Sequence, residues 1–302
     1  MLKFMCVLLF TVGGLIMLYS IVIFFKLILK LKLQTDSHRI LPRWIYMACM
    51  MLLMAFFLAC YTAIDIIFLA YAVVSPEDLI VSSVAFFGSV FVCIIITTLR
   101  SMLSAISKKH GEITKTLINA VEAKDRYTRG HSDHVADITK LIYDYLPDKI
   151  KHRINFSRLT DAAILHDVGK IGIIDNILNK PGKLTDEEWD LIKRHPEIGR
   201  NIFERTSYRS VAKIIYCHHE RIDGKGYYGI PADEIPTEAK IIAVADAYSA
   251  LCTDRVYRAG KSHDEAVKII SGESGTQFDK SLVDIFCAIP KSKLENIMMN
   301  TV

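Results

Sequence analysis

Two doublets of metal-ligating residue types stand out in this chain. His166-Asp167 opens His166-Asp-Val-Gly-Lys-Ile-Gly172, and His218-His219 opens His218-His-Glu-Arg-Ile-Asp-Gly-Lys-Gly-Tyr227. Neutral imidazoles and carboxylates suit first-row divalent metals, and ligands drawn from several segments suit a site with more than one ion. Two ions a few ångströms apart activate water against phosphate esters. The residues point to a metal-dependent phosphohydrolase; the bland alternative is a set of unrelated surface histidines.

Helices must position them. Leu159–Leu165 is apolar on one face and runs into His166. Thr185-Asp186-Glu187-Glu188 has the form of a capping box, and the helix it opens is expected to carry His195 and stop near Pro196. A helix over Tyr208–His219 ends in the histidine pair, and Asp223–Gly229 reads as a loop. Pro236-Thr237 opens a helix over Glu238–Cys252, whose alanines permit close packing. Alternating strand patterns are almost absent, so the fold class is all-α.

Three uncharged stretches, Met5–Phe25, Trp44–Ile64 and Leu79–Leu99, each run for 21 residues and read as transmembrane helices. The first lacks the small-residue cleavage pattern of a signal peptide. Lys26, Lys30, Lys32, Arg39 and Arg43 follow it, whereas only Glu77 and Asp78 follow the second. The positive-inside rule then puts the N-terminus outside and the large C-terminal portion in the cytoplasm of a multi-pass inner-membrane protein. Asp65 reads as a residue near the outer end of a tilted span. Leu99, Leu103, Ile106, His110, Ile113, Leu117 and Ala120 form a heptad seam, which suits either a coiled-coil homodimer or the first packed helix of the soluble domain. The expected organisation is a membrane region over 1–99, a connecting helix over 100–118 and a helical domain over 119–302.

Residues 100–302 hold 31 Lys+Arg against 29 Asp+Glu, so no basic surface argues for a nucleic acid polymer. Of the seven cysteines, four lie in the apolar stretches, and Cys217, Cys252 and Cys287 form no CxxC pair. That excludes the usual zinc-finger pattern and suits a reducing compartment.

The ordered motifs resemble the HD-GYP domain, a bacterial branch of the HD phosphohydrolase superfamily, from about Asn119 to Val283. They are Glu122-Ala-Lys-Asp-Arg-Tyr-Thr-Arg-Gly-His131-Ser, the His166 segment, Asn179-Lys-Pro-Gly-Lys-Leu-Thr185, Lys193-Arg-His-Pro-Glu-Ile-Gly199 and the His218 segment, followed by Ala243-Val-Ala-Asp246 and Thr253-Asp-Arg-Val-Tyr-Arg258. The resemblance implies an HD-type helical domain that binds two or three ions, usually iron or manganese, and cleaves cyclic di-GMP to pGpG or GMP. By motif, His131, His166, Asp167, His195, His218, His219 and Asp246 are the implied metal ligands. Asp167 is the implied bridging carboxylate, and Lys170 the implied stabiliser of charge on the phosphoryl group. Arg255, Arg258 and Tyr227 are the implied substrate contacts. His134, one turn past His131, is expected to be no ligand.

Three positions depart from the family pattern. Gly226-Tyr227-Tyr228 replaces Gly-Tyr-Pro, which is expected to free the chain at Tyr228. Ser249 stands where a second aspartate is usual, and the expected effect is slower turnover with binding intact. Tyr127 stands where trinuclear members carry a glutamate, which favours two ions. Two other readings fit these residues: a phosphohydrolase for another nucleotide, and a cyclic dinucleotide receptor that turns over poorly.

Overall fold

The computed structural model describes residues 2–34, 60, 63, 64, 66, 67, 75–125, 130–254 and 259–299. Regular structure among them is all-helical; the one β feature described is an isolated bridge between Ser274 and Phe278. The chain divides into two compact units, Met1–Gly111 and Glu112–Val302, each with its own hydrophobic cluster.

The first unit holds α1 (Leu2–Gln34) and the N-terminal part of α2 (Pro76–Lys124), and both helices are long and apolar enough to cross a membrane. Phe4, Leu15, Ile80, Val84, Phe87 and Phe91 leave their large apolar side chains exposed. Thr11, Ser20, Ser82, Ser83 and Ser89 each donate a hydroxyl proton to the carbonyl four residues back. Such local closure is what a polar group needs where water is absent. The second expected span, Trp44–Ile64, is described only at Cys60, Ala63 and Ile64, and Asp65 lies outside the described residues. The third lies within α2, which runs on unbroken to Lys124. Along the seam Leu99, Leu103, Ile106, Ile113 and Ala120 stay exposed and Leu117 packs on the core of the second unit, which the off-seam residues Ile118 and Val121 join.

The second unit adds α3 (His131–Tyr145), α4 (Asp148–Lys151), α5 (Phe156–Leu165), a 3-10 turn (Val168–Gly172), α6 (Asp175–Leu178), α7 (Asp186–Ile192), α8 (His195–Phe203), α9 (Arg209–Cys217), α10 (Thr237–Cys252), α11 (His263–Gly272), α12 (Lys280–Cys287) and α13 (Lys291–Met299). Val135, Ile138 and Ile142 form a fully buried stripe on α3, and His131 heads that stripe. Packing the stripe against α5 and α10 therefore turns His131 inward. Asn155 caps α5 by accepting from Arg158 N at 3.0 Å. Arg158 in turn pairs with the buried Glu238 at the start of α10, tying two core helices together.

One expected boundary is wrong. The capping box forms, with Thr185 N donating to the Glu188 carboxylate at 2.8 Å, but α7 ends at Ile192. His195 begins a new helix with Pro196 in its first turn. Proline has no N–H, yet the first turn of a helix has no partner for one, so Pro196 starts α8 and does not stop its predecessor.

The 3-10 turn lies hard against α8. A Cβ on Gly169 would overlap the His195 carbonyl oxygen and come within 2.6 Å of Gly199 N, both fixed backbone atoms. Gly169→Ala should force the turn and α8 apart at a cost of about 1–3 kcal/mol, and it should weaken metal binding because Asp167 and His195 ride on the separated pieces. Thermal unfolding and metal titration check this; a wild-type melting temperature would contradict the close approach.

Candidate metal centre

α5, α7 and α9 each end with carbonyls that no helical N–H can reach. A histidine at or just beyond each end supplies the missing donor. His166 donates Nδ1–H to Ala163 O at 2.7 Å, His195 to Ile192 O at 2.8 Å, and His218 to Ile215 O at 2.6 Å. A carbonyl can only accept, so each ring carries its proton on Nδ1 and turns the lone pair of Nε2 inward.

Those lone pairs meet each other. His195 Nε2 lies 3.3 Å from His218 Nε2 with no proton to share, and His166 Nε2 is buried with no hydrogen-bond partner. Burial, then His219, His166 and His195, holds His218 well below the usual imidazole pKa, so protonation does not relieve the repulsion. Burial and His195 likewise bring His219 down to about 3.

Asp167 lies at the centre. Its Oδ1 is 3.3 Å from His195 Nε2, and its Oδ2 is 3.5 Å from His166 Nε2 and 2.7 Å from Lys170 Nζ. Burial raises its pKa, but Lys170 and His166 outweigh burial and hold it well below the carboxylate range. Two clusters with metal-holding geometry overlap here. Asp167, His195, His218 and His219 form one, and His131, His166 and Asp167 the other. Asp246 borders both: its Oδ1 is 3.0 Å from His131 Nε2, and its Oδ2 is 3.9 Å from His219 Nδ1. It too is ionised, because hydrogen bonding and charge from His131 overcome the burial penalty. Inward-facing imidazole lone pairs and two ionised carboxylates fit divalent cations, with Asp167 common to both positions.

All seven sequence-derived ligands thus converge. His134 is buried one turn from His131 and belongs to neither cluster. Tyr227 packs its ring 4.6 Å from that of His219, and burial followed by Asp246 and Asp167 pushes its hydroxyl up to about 12. Lys170 also reaches Asp125 Oδ2 at 2.9 Å, and the two carboxylates hold its ammonium above the ordinary lysine pKa against the opposing effect of burial. Asp125 was given no role from sequence, although it stands in the Glu122–Ser132 motif. Arg255, Arg258 and Tyr127 lie outside the described residues.

The fully buried Oγ of Ser249 lies 2.9 Å from His131 Nδ1. A hydroxyl can donate or accept, so this contact seats the ring without fixing which nitrogen carries its proton. One expectation needs correction: the loop is not freed at Tyr228. Where proline would offer no donor, Tyr228 N donates to Glu220 Oε1 at 2.7 Å. Its ring stacks on Tyr216 with centroids 4.4 Å apart, and its hydroxyl donates to Lys193 O at 2.8 Å. Glu220, also missed from sequence, folds the loop by accepting from Ile230 N as well.

Residues 115–282 match the HD domain family. The chain is 36% identical over 211 residues to a cyclic di-GMP phosphodiesterase of Vibrio cholerae, covering 63% of this chain and 43% of that protein. A 3'3'-cGAMP-specific phosphodiesterase 3 of the same organism is 38% identical over 174 residues, 57% of this chain and 36% of that protein. The cyclic di-GMP phosphodiesterase response regulator RpfG of Xanthomonas campestris is 34% identical over 190 residues, 62% of this chain and 50% of that protein. The chain thus spans half or less of the length of these curated relatives.

His166, His218 and His219 are all shifted down from 6.5, burial being the largest cause. Unfolding lets each bind a proton that the folded state refuses. Stability is therefore fully present above pH 6.5 and falls as the pH drops below it. Metal-free protein should lose up to about 1.4 kcal/mol per pH unit between pH 6 and 4 through His219, which is held to about 3, with His166 and His218 acting in the same direction; an unfolding temperature that stays level from pH 7 to 5 would contradict this. At position 249, a charged acceptor should make His131 a stronger ligand, and no acceptor a weaker one. Ser249→Asp should tighten one of two metal-binding steps by about tenfold and Ser249→Ala should loosen that same step, as read by metal titration. Equal affinities in all three proteins would show that the contact does not matter.

Proposed function

Because this chain belongs to the HD domain family, we propose that it is a metal-dependent phosphodiesterase of the HD-GYP branch that opens cyclic dinucleotides, with cyclic di-GMP as the leading substrate. The observation that carries this reading is the facing pair of lone pairs, His195 Nε2 and His218 Nε2, at 3.3 Å beside an ionised Asp167. Two divalent ions, iron or manganese, fit that donor set. His195, His218, His219 and Asp167 would hold one, and His131, His166, Asp167 and Asp246 the other. When bound, such ions lower the pKa of water and neutralise phosphate oxygens.

The chain's own groups set up the rest. In the hydrolysis, the oxygen of water bonds to phosphorus and the P–O3′ bond breaks. The 3′-oxygen departs with a proton, giving linear pGpG, and a second cleavage gives GMP. Lys170 keeps its protons on Nζ between Asp167 and Asp125, a fixed positive charge for the phosphate. Tyr227 stays protonated at the wall of the same cavity and serves as a hydrogen-bond donor, not as a base. Arg255 and Arg258 are assigned to guanine or phosphate contacts. The match to the 3'3'-cGAMP-specific relative supports a second reading in which the mixed dinucleotide is the substrate. Against the receptor reading, Ser249 still holds His131 in place.

The long apolar helices support anchoring in a membrane, and the basic residues after the first apolar stretch support an outside N-terminus with the catalytic domain in the cytoplasm. The exposed seam residues Leu99, Leu103, Ile106 and Ile113 support pairing of two copies through α2.

The test is direct. Full chain, purified anaerobically and loaded with iron or manganese, is incubated with cyclic di-GMP and 3'3'-cGAMP. Linear product should form, Asp167→Ala and His219→Ala should abolish it, and His134→Ala should retain most of it. Turnover that survives Asp167→Ala, or none from metal-loaded wild type, would sink the proposal.

A further inference from the structure

The segment Asn179–Thr185 holds none of the assigned ligands, yet it is built with care. Asn179 Nδ2 donates to Lys124 O at 2.8 Å, anchoring the segment to the end of α2. Lys180 is clamped to both oxygens of Glu188, at 2.8 and 2.6 Å. The same Glu188 closes the capping box with Thr185, so one carboxylate locks the segment to α7. Gly182 takes a φ of 131°, a conformation that L side chains rarely adopt.

This frame borders the cavity of about 460 Å³ that has Asp167, Lys170, His219 and Asp246 among its lining residues. Five large apolar side chains also line it: Ile177, Leu178, Leu184, Trp189 and Ile192. None of these five belongs to the hydrophobic core, and Trp189 is 43% exposed. A protein rarely fixes an indole and four aliphatic side chains beside a charged cavity unless an apolar part of a ligand covers them.

We propose that Trp189, framed by Leu184 and Ile177, is a nucleobase-stacking wall that binds one base of the dinucleotide. This deepens the phosphodiesterase reading and rests on it. A cyclic dinucleotide has two anionic phosphodiesters and two flat bases. The cationic and metal-ligating groups of the cavity suit the former, and the aromatic wall suits the latter. Tyr227 is packed against His219, whereas Trp189 is 43% exposed. Stacking accepts any base, because each has a π-face. The wall therefore adds affinity without selecting guanine over adenine, and discrimination lies elsewhere in the site.

The full chain contains two tryptophans, Trp44 and Trp189, so Trp44→Phe leaves Trp189 as its single indole reporter. Calcium-loaded Trp44→Phe protein should show quenching of that indole as cyclic di-GMP is added. Trp189→Ala should raise KM for cyclic di-GMP and for 3'3'-cGAMP alike, by about 5- to 150-fold, with kcat changed little. Trp189→Phe should restore most of the affinity. Metal content and turnover of bis(4-nitrophenyl) phosphate, which has no nucleobase, should match wild type. Because Trp189 is 43% exposed and lies outside the hydrophobic core, its truncation spares the core, and helical circular dichroism checks that the fold persists.

Unchanged KM in Trp189→Ala with active wild type would overturn the stacking wall alone. Loss of metal or of bis(4-nitrophenyl) phosphate turnover in Trp189→Ala would replace it with a structural role. A wild type that neither binds nor cleaves either dinucleotide would overturn the phosphodiesterase reading beneath it.

Discussion

Helix-end carbonyls that have no N–H of their own to accept are the constraint on which this centre is built. Ala163, Ile192 and Ile215 present such carbonyls, and His166, His195 and His218 answer them through Nδ1–H. Each of these hydrogen bonds uses backbone on one side, so no side-chain substitution at the acceptor can remove it. Their common result is that three Nε2 lone pairs point at one place. The rest of the second unit serves that convergence: the stripe of α3 delivers His131, α10 delivers Asp246, and the tight seat of Gly169 against α8 brings Asp167 to His195.

The charge balance follows from the same geometry. Burial forces His166, His218 and His219 neutral, while Lys170 and the imidazoles around them force Asp167 and Asp246 charged. Lys170 lines the cavity beside Asp167, and Asp125 and Asp167 fix it on both sides. Such an arrangement is costly for a protein without a ligand, since lone pairs oppose each other at 3.3 Å. It becomes favourable once cations occupy the space between them. His131 rests on a side chain, Ser249, instead of a backbone carbonyl, so its seating is open to change by a single substitution.

Much of this was readable in the residues, and the misses have physical causes. The candidate metal-holding residues were legible because the motifs that carry them are local features, and the resemblance joined those motifs into one set. Helix boundaries at Thr185 and Pro236 were legible from capping and proline chemistry. The course of the chain at Pro196 was not, because proline stops one helix and starts another with equal ease. Ser249 was noticed, but the partner that gives it meaning, His131, lies 118 positions away. Asp125 and Glu220 were passed over for a similar reason. A carboxylate's role depends on what faces it, here Lys170 and the backbone of residues 228–230, and sequence gives no such distances. The tyrosine at 228 reads as a lost proline until its gained N–H bond and stacked ring are seen.

The central claim is that the inward-facing imidazoles and Asp167 hold two ions per chain. Elemental analysis of full chain purified without oxygen measures this most directly, with His218→Ala beside it. The account predicts two equivalents of iron or manganese in the native protein and at most one in the variant. Metal-free native protein that is folded and active, or a variant that keeps both ions, would contradict it.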